Sequence, residues 1–394
     1  MRNKLTAFPE QEYRRRLELV RYEMHQQGID LLYVTNPSNM NWLTGYDGWS
    51  FYVHQGVLIT FDSDPLWWGR RMDANGALLT VWMPDDHVFG YPDRFIQSSR
   101  IHPMQDLSQH IHALGLENGV VGVEKENFYY SAKAHEELTN MLPDAEFRDA
   151  TNLVNWQRRV KSELEIDFMR RAARISEKIV DGFIERIEPG MAKNDLVSEI
   201  YRDAISGADG HWGDYPAIVP MLPSGSDASA PHLTWDGRPF QSGEATFLET
   251  AGCYRRYHVP FCRTVFLGEM PDHMKRAEEA LLEGLEAGIH WAQAGNRACD
   301  IANALAVPLE RAGIERGARC GYSVGLSYPP DWGEHTISLR PEDTTELEPG
   351  MTFHFMPGLW MDDWGIEITE TILIKEDGAA EPLAKRPREV VVKP

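Results

Sequence analysis

At 394 residues the chain is long enough for about two domains, and its 42% apolar and 25% charged content is that of a folded globular protein, which excludes a disordered or coiled-coil chain. The balance of 39 basic against 60 acidic side chains, a formal charge of −21, repels a phosphate backbone and sets nucleic-acid binding aside. No stretch nears the roughly 18–20 uninterrupted apolar residues of a membrane span.

The basic N-terminus lacks the apolar core of a secretory signal. Residues 12–27 then place Leu17, Val20 and Met24 at helical spacing and stop at Gly28. A short apolar run at 30–35 precedes Asn36-Pro37-Ser38-Asn39, whose composition predicts a turn. Strand-like stretches at 56–61, 66–68 and 120–123, with a helix over 104–114, predict an α/β domain for residues 1–157.

A second domain is expected over 158–394. Ser162 and Glu165 have capping-box spacing at the head of a helix whose face carries Leu164, Phe168, Met169, Ala172, Ile175, Ile179 and Phe183. A helix over 195–205, a Gly/Pro/Ser-rich loop over 206–237 and a hairpin of strands 245–251 and 257–267 follow. Two more helices (273–293, 300–312), a loop (321–333) and strands at 351–356 and 365–374 repeat that order, a hint of duplication. Cys253, Cys262, Cys299 and Cys320 form no C-x-x-C pair, so free thiols in a reducing cytoplasm are expected rather than disulfides or structural zinc. Gly321-Tyr322-Ser323-Val324-Gly325 fits the serine-hydrolase elbow pattern, but Pro329-Pro330 blocks the helix that an elbow requires.

Several segments resemble the creatinase/prolidase/methionine aminopeptidase family. They are Asn36–Asn39 with Trp42-Leu43-Thr44-Gly45, Val160-Lys161-Ser162 with Glu165, Pro223-Ser224-Gly225 with Pro231-His232, Arg263-Thr264-Val265-Phe266, Gly321–Leu326 and Glu348-Pro349-Gly350-Met351. The resemblance implies a pita-bread catalytic domain, of α+β class, behind the α/β N-terminal domain. Metallopeptidases of the family hold two metal ions with two Asp, one His and two Glu. At those positions this chain has Glu249, Pro260, Tyr322, Met356 and Thr369, and only the first suits a hard divalent ion. No metal and no cofactor are therefore expected, and peptidase activity is not.

A longer likeness, over residues 36–55, Asp73-Ala74-Asn75-Gly76 and Tyr328-Pro329-Pro330-Asp331-Trp332-Gly333-Glu334, is to the ectoine hydrolase branch, which opens a cyclic amidine. It implies ectoine as the small-molecule substrate, an N-acetylated diaminobutyrate as product and a deacetylase as the partner acting on it. If Thr369 faces the site, strand alternation turns Glu367 and Thr371 there too and sends Ile366, Ile368, Ile372 and Ile374 to the core, with Glu370 structural on the apolar face. Peptidases of the family usually carry Arg where Glu367 stands, and the reversal suits a cationic amidinium.

Glu249 is the candidate base or nucleophile and His232 the candidate proton donor. Glu367, His258, Tyr322, Met356 and Trp360 are the candidate substrate contacts, with Trp49 and Tyr52 from an aromatic segment that reaches a neighbouring subunit in creatinase-like homodimers. The alternatives are a creatinase-like amidinohydrolase for another guanidino or amidino acid, and a non-catalytic pseudopeptidase that binds without reaction.

Overall fold

The computed structural model describes residues 4–394, which divide into two compact units, one up to Gln157 and the other Arg158–Pro394. The first contains α1 (Glu10–Gln27), β1 (Leu31–Val34), α2 (Pro37–Thr44), β2 (Gly56–Ile59), β3 (Leu66–Arg70), α3 (Arg71–Thr80), β4 (Val88–Tyr91), α4 (Met104–Ala113), β5 (Val120–Val123), α5 (Ala132–Met141), β6 (Glu146–Asp149) and α6 (Leu153–Gln157). Its strands form one mixed sheet in the order β4-β3-β2-β1-β5-β6.

The helix α1 buries Leu17, Val20 and Met24 and ends on Gly28 in the left-handed region that glycine adopts without strain. Asn36–Asn39 is not a turn but the start of α2. The Asn36 side chain caps it by accepting from the Ser38 amide at 2.9 Å, and Pro37 occupies the first helical position, where no amide is needed. Buried Glu124 fixes this corner by accepting from the Thr35 and Asn36 amides and the Asn39 side chain at 2.6–2.8 Å.

The second unit contains α7 (Glu163–Arg186), α8 (Lys193–Ser206), β7 (Ala245–Tyr254), β8 (Tyr257–Leu267), α9 (Asp272–Trp291), α10 (Ala298–Arg311), β9 (Gly321–Val324), β10 (Gly333–Ser338), β11 (Thr352–Phe355), β12 (Gly358–Trp360), β13 (Gly365–Glu367), β14 (Glu370–Leu373), β15 (Glu381–Pro382) and β16 (Val391–Lys393). The sheets run β10-β9-β11-β14-β15, β16-β8-β7 and β12-β13. The capping box at Ser162 is half realised: Glu165 accepts the Ser162 amide at 2.9 Å, but the Ser162 hydroxyl has no partner.

Against the expected loop over 321–333, residues 321–324 form β9, pairing with β10 and β11. The expected continuous strand over 365–374 is two strands in different sheets. At the break the Ile368 amide turns to the Pro357 carbonyl and the Thr369 amide to that of Cys262, while the Arg263 guanidinium donates to the Thr369 carbonyl at 2.8 Å. Ile366, Ile368, Ile372 and Ile374 nonetheless all enter the main core. Glu370, on their side, is buried in an ion pair with Arg263 at 2.6 Å and Arg388 at 3.2 Å.

The helix α7 lies directly on the β7–β8 hairpin. A Cβ at Gly252 would stand 2.2 Å from the Ala172 carbonyl oxygen and 2.5 Å from the Ser176 amide, so only glycine permits this approach. The Ser176 hydroxyl accepts from the Gly252 amide at 2.9 Å and donates to the Val259 carbonyl at 2.6 Å, joining the helix to both strands. None of the described helices is long and apolar enough to cross a membrane.

Candidate active site

Glu249 sits mid-way along β7, directly across from Cys262 of β8. The Cys262 thiol lies 3.6 Å from the Glu367 carbonyl, and the Glu367 amide donates to the Thr264 hydroxyl at 2.9 Å, so the end of β13 is fixed to β8. Trp360 packs against Ala228, Phe247 and Cys262. The hairpin and β13 thus bring Glu249, Cys262, Glu367 and Trp360 together.

Both acids are driven toward the protonated form. Burial, then the charge of Asp331, pushes the Glu249 carboxyl up to about 7. Burial, then the charge of Glu249, pushes Glu367 well above the usual carboxylate range, with Trp360 and Arg316 opposing it in part. Neither Glu367 oxygen, nor the Trp360 indole N–H, makes a hydrogen bond of normal geometry. Two buried carboxyls therefore share a region in which, among the described residues, no cation forms an ion pair with Glu367.

A chain of hydrogen bonds runs beside them. The Trp332 indole N–H donates to the Tyr322 oxygen at 2.8 Å, and the Tyr322 hydroxyl lies 3.2 Å from His354 Nδ1. With the Tyr322 proton directed to Nδ1, Nε2 is the protonated nitrogen and donates to the Thr369 hydroxyl at 2.9 Å. Register supports this order, since Tyr322 of β9 stands opposite His354 of β11. Burial, then the Arg319 charge, pushes His354 down to about 3. Burial raises the Tyr322 phenol far above its ordinary value.

His258 is buried with both ring nitrogens committed to backbone. Nε2 accepts from the Ala217 amide at 2.8 Å and Nδ1 donates to the Arg256 carbonyl at 2.9 Å. That leaves it no nitrogen for a substrate, so the expected contact becomes a structural one. His232 stands exposed beyond a short 3-10 turn (Gly225–Ser229). Its neighbour Leu233 accepts the Leu222 amide, and the adjacent Met221 bridges Glu249. Met356 follows β11 and is half-buried, its carbonyl held by Arg316 at 2.9 Å. Trp49 and Tyr52 belong to the first unit, 56% and 71% exposed.

Asp331 had no role on sequence grounds, although it lies inside a segment that carried the family likeness. It accepts the Gly333 amide at 3.0 Å and pairs with His335 at 3.0 Å. Burial alone would raise it, but these partners hold it below the usual carboxylate range. A surface groove of about 460 Å³ lined by Asp167, Arg170, Arg171 and Arg174 contains none of these side chains, whereas one of about 500 Å³ in the first unit is lined in part by Tyr52.

The donors at the five family ligand positions do not fit a pair of divalent ions. The Pro260 carbonyl accepts from the Thr371 hydroxyl at 2.7 Å. The Tyr322 and Thr369 hydroxyls are taken up by Trp332 and His354, and Met356 offers only a thioether. Among the described residues, no three His, Cys, Asp or Glu side chains gather in metal-holding geometry.

Residues 167–376 match metallopeptidase family M24 and residues 16–160 the creatinase/prolidase N-terminal domain. The chain is 57% identical to the ectoine hydrolase of Halomonas elongata over 98% of both chains. It is 38% identical to an uncharacterized hydrolase/peptidase of Sinorhizobium fredii, over 99% of this chain and all of that one. Among solved structures, a prolidase from Thermococcus sibiricus superposes with a TM-score of 0.84 at 18% identity, covering 96% of this chain and 99% of that one. The shared architecture is the pita-bread fold behind a creatinase-type N-terminal domain.

Proposed function

The chain belongs to the M24 metallopeptidase family, and from that premise we propose that it is a metal-independent hydrolase opening the cyclic amidine ring of ectoine to N-acetyl-diaminobutyrate. The observation that carries the reading is the pair of buried carboxyls, Glu249 and Glu367, the latter with no ion-pair partner among the described residues and only partly offset by the Arg316 charge. An amidinium supplies the missing positive charge and two N–H donors, which the free Glu367 oxygens accept. Glu249, poised near neutrality, attacks the amidinium carbon or activates a water toward it. The exposed loop carrying His232 supplies the proton to the departing nitrogen.

The proposal extends to a homodimer in which Trp49 and Tyr52 cover a neighbouring subunit's site, and to a deacetylase acting on the product. Cys253, Cys262, Cys299 and Cys320 form no disulfide and three of them are buried, which suits a reducing cytoplasm. The test is ectoine turnover on exhaustively chelated protein, followed by appearance of N-acetyl-diaminobutyrate. Turnover of creatine in its place would move the reading to another amidinohydrolase; binding of ectoine without turnover would make the protein a binding module.

A further inference from the structure

Four charged side chains meet inside the second unit: Arg158, Lys161, Glu165 and Glu334, each at most 4% exposed. Lys161 Nζ donates to Glu334 Oε2 at 2.6 Å, and the Arg158 guanidinium lies 3.7 Å from the other Glu334 oxygen while donating to the Leu326 carbonyl. Glu165 accepts the Tyr257 hydroxyl at 2.7 Å.

Backbone contacts lead from this cluster toward β8, β9 and β11. The Lys161 amide donates to the Gly350 carbonyl at 3.0 Å, and Val160 bridges Met351, at the entry to β11 and His354. Gly325, just past β9 and Tyr322, is pressed against the pair. A Cβ there would lie 2.6 Å from Glu334 Oε1 and 2.8 Å from Lys161 Cε. Its carbonyl accepts the His258 amide of β8 at 2.9 Å. Glu334 itself follows Asp331-Trp332-Gly333, and the Ser327 hydroxyl closes that segment on the Trp332 carbonyl at 2.9 Å.

We propose that the Lys161–Glu334 ion pair is a positioning device for the reaction, holding the 327–334 segment so that Trp332 keeps the Tyr322–His354–Thr369 chain in register beside Glu249. Neither residue touches a reacting atom. A buried pair is a weak source of stability, and well-packed apolar side chains of similar volume serve folding as well or better. What the charged pair adds is direction: a short ammonium–carboxylate contact fixes where the next residues point. The kinetic part of the proposal rests on the hydrolase reading, whereas its structural part does not.

The test compares Lys161→Met with the double variant Lys161→Met/Glu334→Leu in the full-length protein. The readouts are thermal melting, hydrogen exchange of the Trp332 indole N–H in protein labelled with 15N-tryptophan, and ectoine turnover. The single variant should lose stability and the double variant regain most of it. In the double variant the Trp332 indole should exchange faster than in wild type, and kcat should fall by about 10- to 100-fold, the scale of a misplacement of roughly 1 Å, with KM within about twofold.

Placed in a Tyr322→Phe background, the same double substitution should cost less than about threefold more, because it acts through that hydroxyl. A double variant with protected indole and wild-type kcat overturns the proposal, as does a full additive loss in the Tyr322→Phe background. Should the double variant not fold, Glu334→Gln removes the charge while keeping size, and the same two readouts decide. If wild-type protein does not turn over ectoine, the hydrolase reading fails, and indole exchange alone decides the role of the pair.

Discussion

Oε1 of Glu249 lies 3.9 Å from Nδ1 of His354, close enough for charge to be felt and too far for a hydrogen bond. Burial drives both groups toward their neutral forms, the carboxyl up to about 7 and the imidazole down to about 3. His354, next to Glu249, is therefore driven to its neutral form and cannot hold that acid ionised. A bound cation can.

Glu249→Gln should lower ectoine turnover by about 10²–10⁴-fold, the usual loss for a general base, while calorimetry still detects binding through Glu367. Near-normal turnover would remove Glu249 from the mechanism. The same variant tests the pH linkage. A carboxyl raised in the folded state favours folding fully below its unfolded value, near 4.5, and that contribution is lost as pH rises through about 7. The Gln variant should therefore melt above wild type near pH 8 and level with it near pH 4.

Asp331→Asn removes the charge that adds to burial in raising Glu249. The acid limb of the kcat/KM profile, expected near 7 in the wild type if Glu249 sets it, should move to lower pH, by less than the whole displacement because burial is the larger cause. A limb that stays in place, measured over the same range, would separate Asp331 from Glu249.

Arg263→Met leaves Glu370 buried beside Arg388 alone and strips a donor from the Cys262 and Thr369 carbonyls. Losing one partner of a buried pair typically costs about 3–5 kcal/mol. The midpoint of urea unfolding should fall accordingly, and Glu370→Gln should fall less.

Exhaustive chelation should leave turnover unchanged and elemental analysis should find no stoichiometric transition metal, because the thioether, proline and committed hydroxyls are poor ligands for hard ions. Recovery of lost activity on adding manganese, cobalt or zinc would reverse this.

Sedimentation should show a dimer at working concentration, and Trp49→Ala/Tyr52→Ala should weaken the dimer and turnover together. The two side chains are 56% and 71% exposed, large apolar area for water to meet. A fully active monomer would reject both halves of the idea.

Alternation along 365–374 was enough to sort Glu367 and Thr369 from the isoleucines, because side-chain period survives even where the ladder breaks. The break itself was not legible, since it is made by Arg263, a hundred residues earlier in the chain. Asn36-Pro37-Ser38-Asn39 read as a turn because its composition is shared by turns and helix starts; Glu124, distant in sequence, decides between them. His258 looked free for a ligand because nothing local reveals that the Ala217 amide and the Arg256 carbonyl occupy its ring. Asp331 was missed for the same reason, as its effect on Glu249 is through space.

Gly252 lets α7 rest on the backbone of β7 three residues beyond Glu249, and Ser176 pins both strands to that helix. The wall that bears Glu249 is thus the tightly held half of the candidate site. A ring-sized molecule needs slack somewhere to enter, and the acyclic product needs it to leave. The less enclosed stretch is the middle of the 222–240 segment, where His232 and Leu233 face solvent. Substitutions that stiffen that segment should slow entry and release without altering bond breaking, whereas any side chain larger than hydrogen at Gly252 would displace the carboxylate itself.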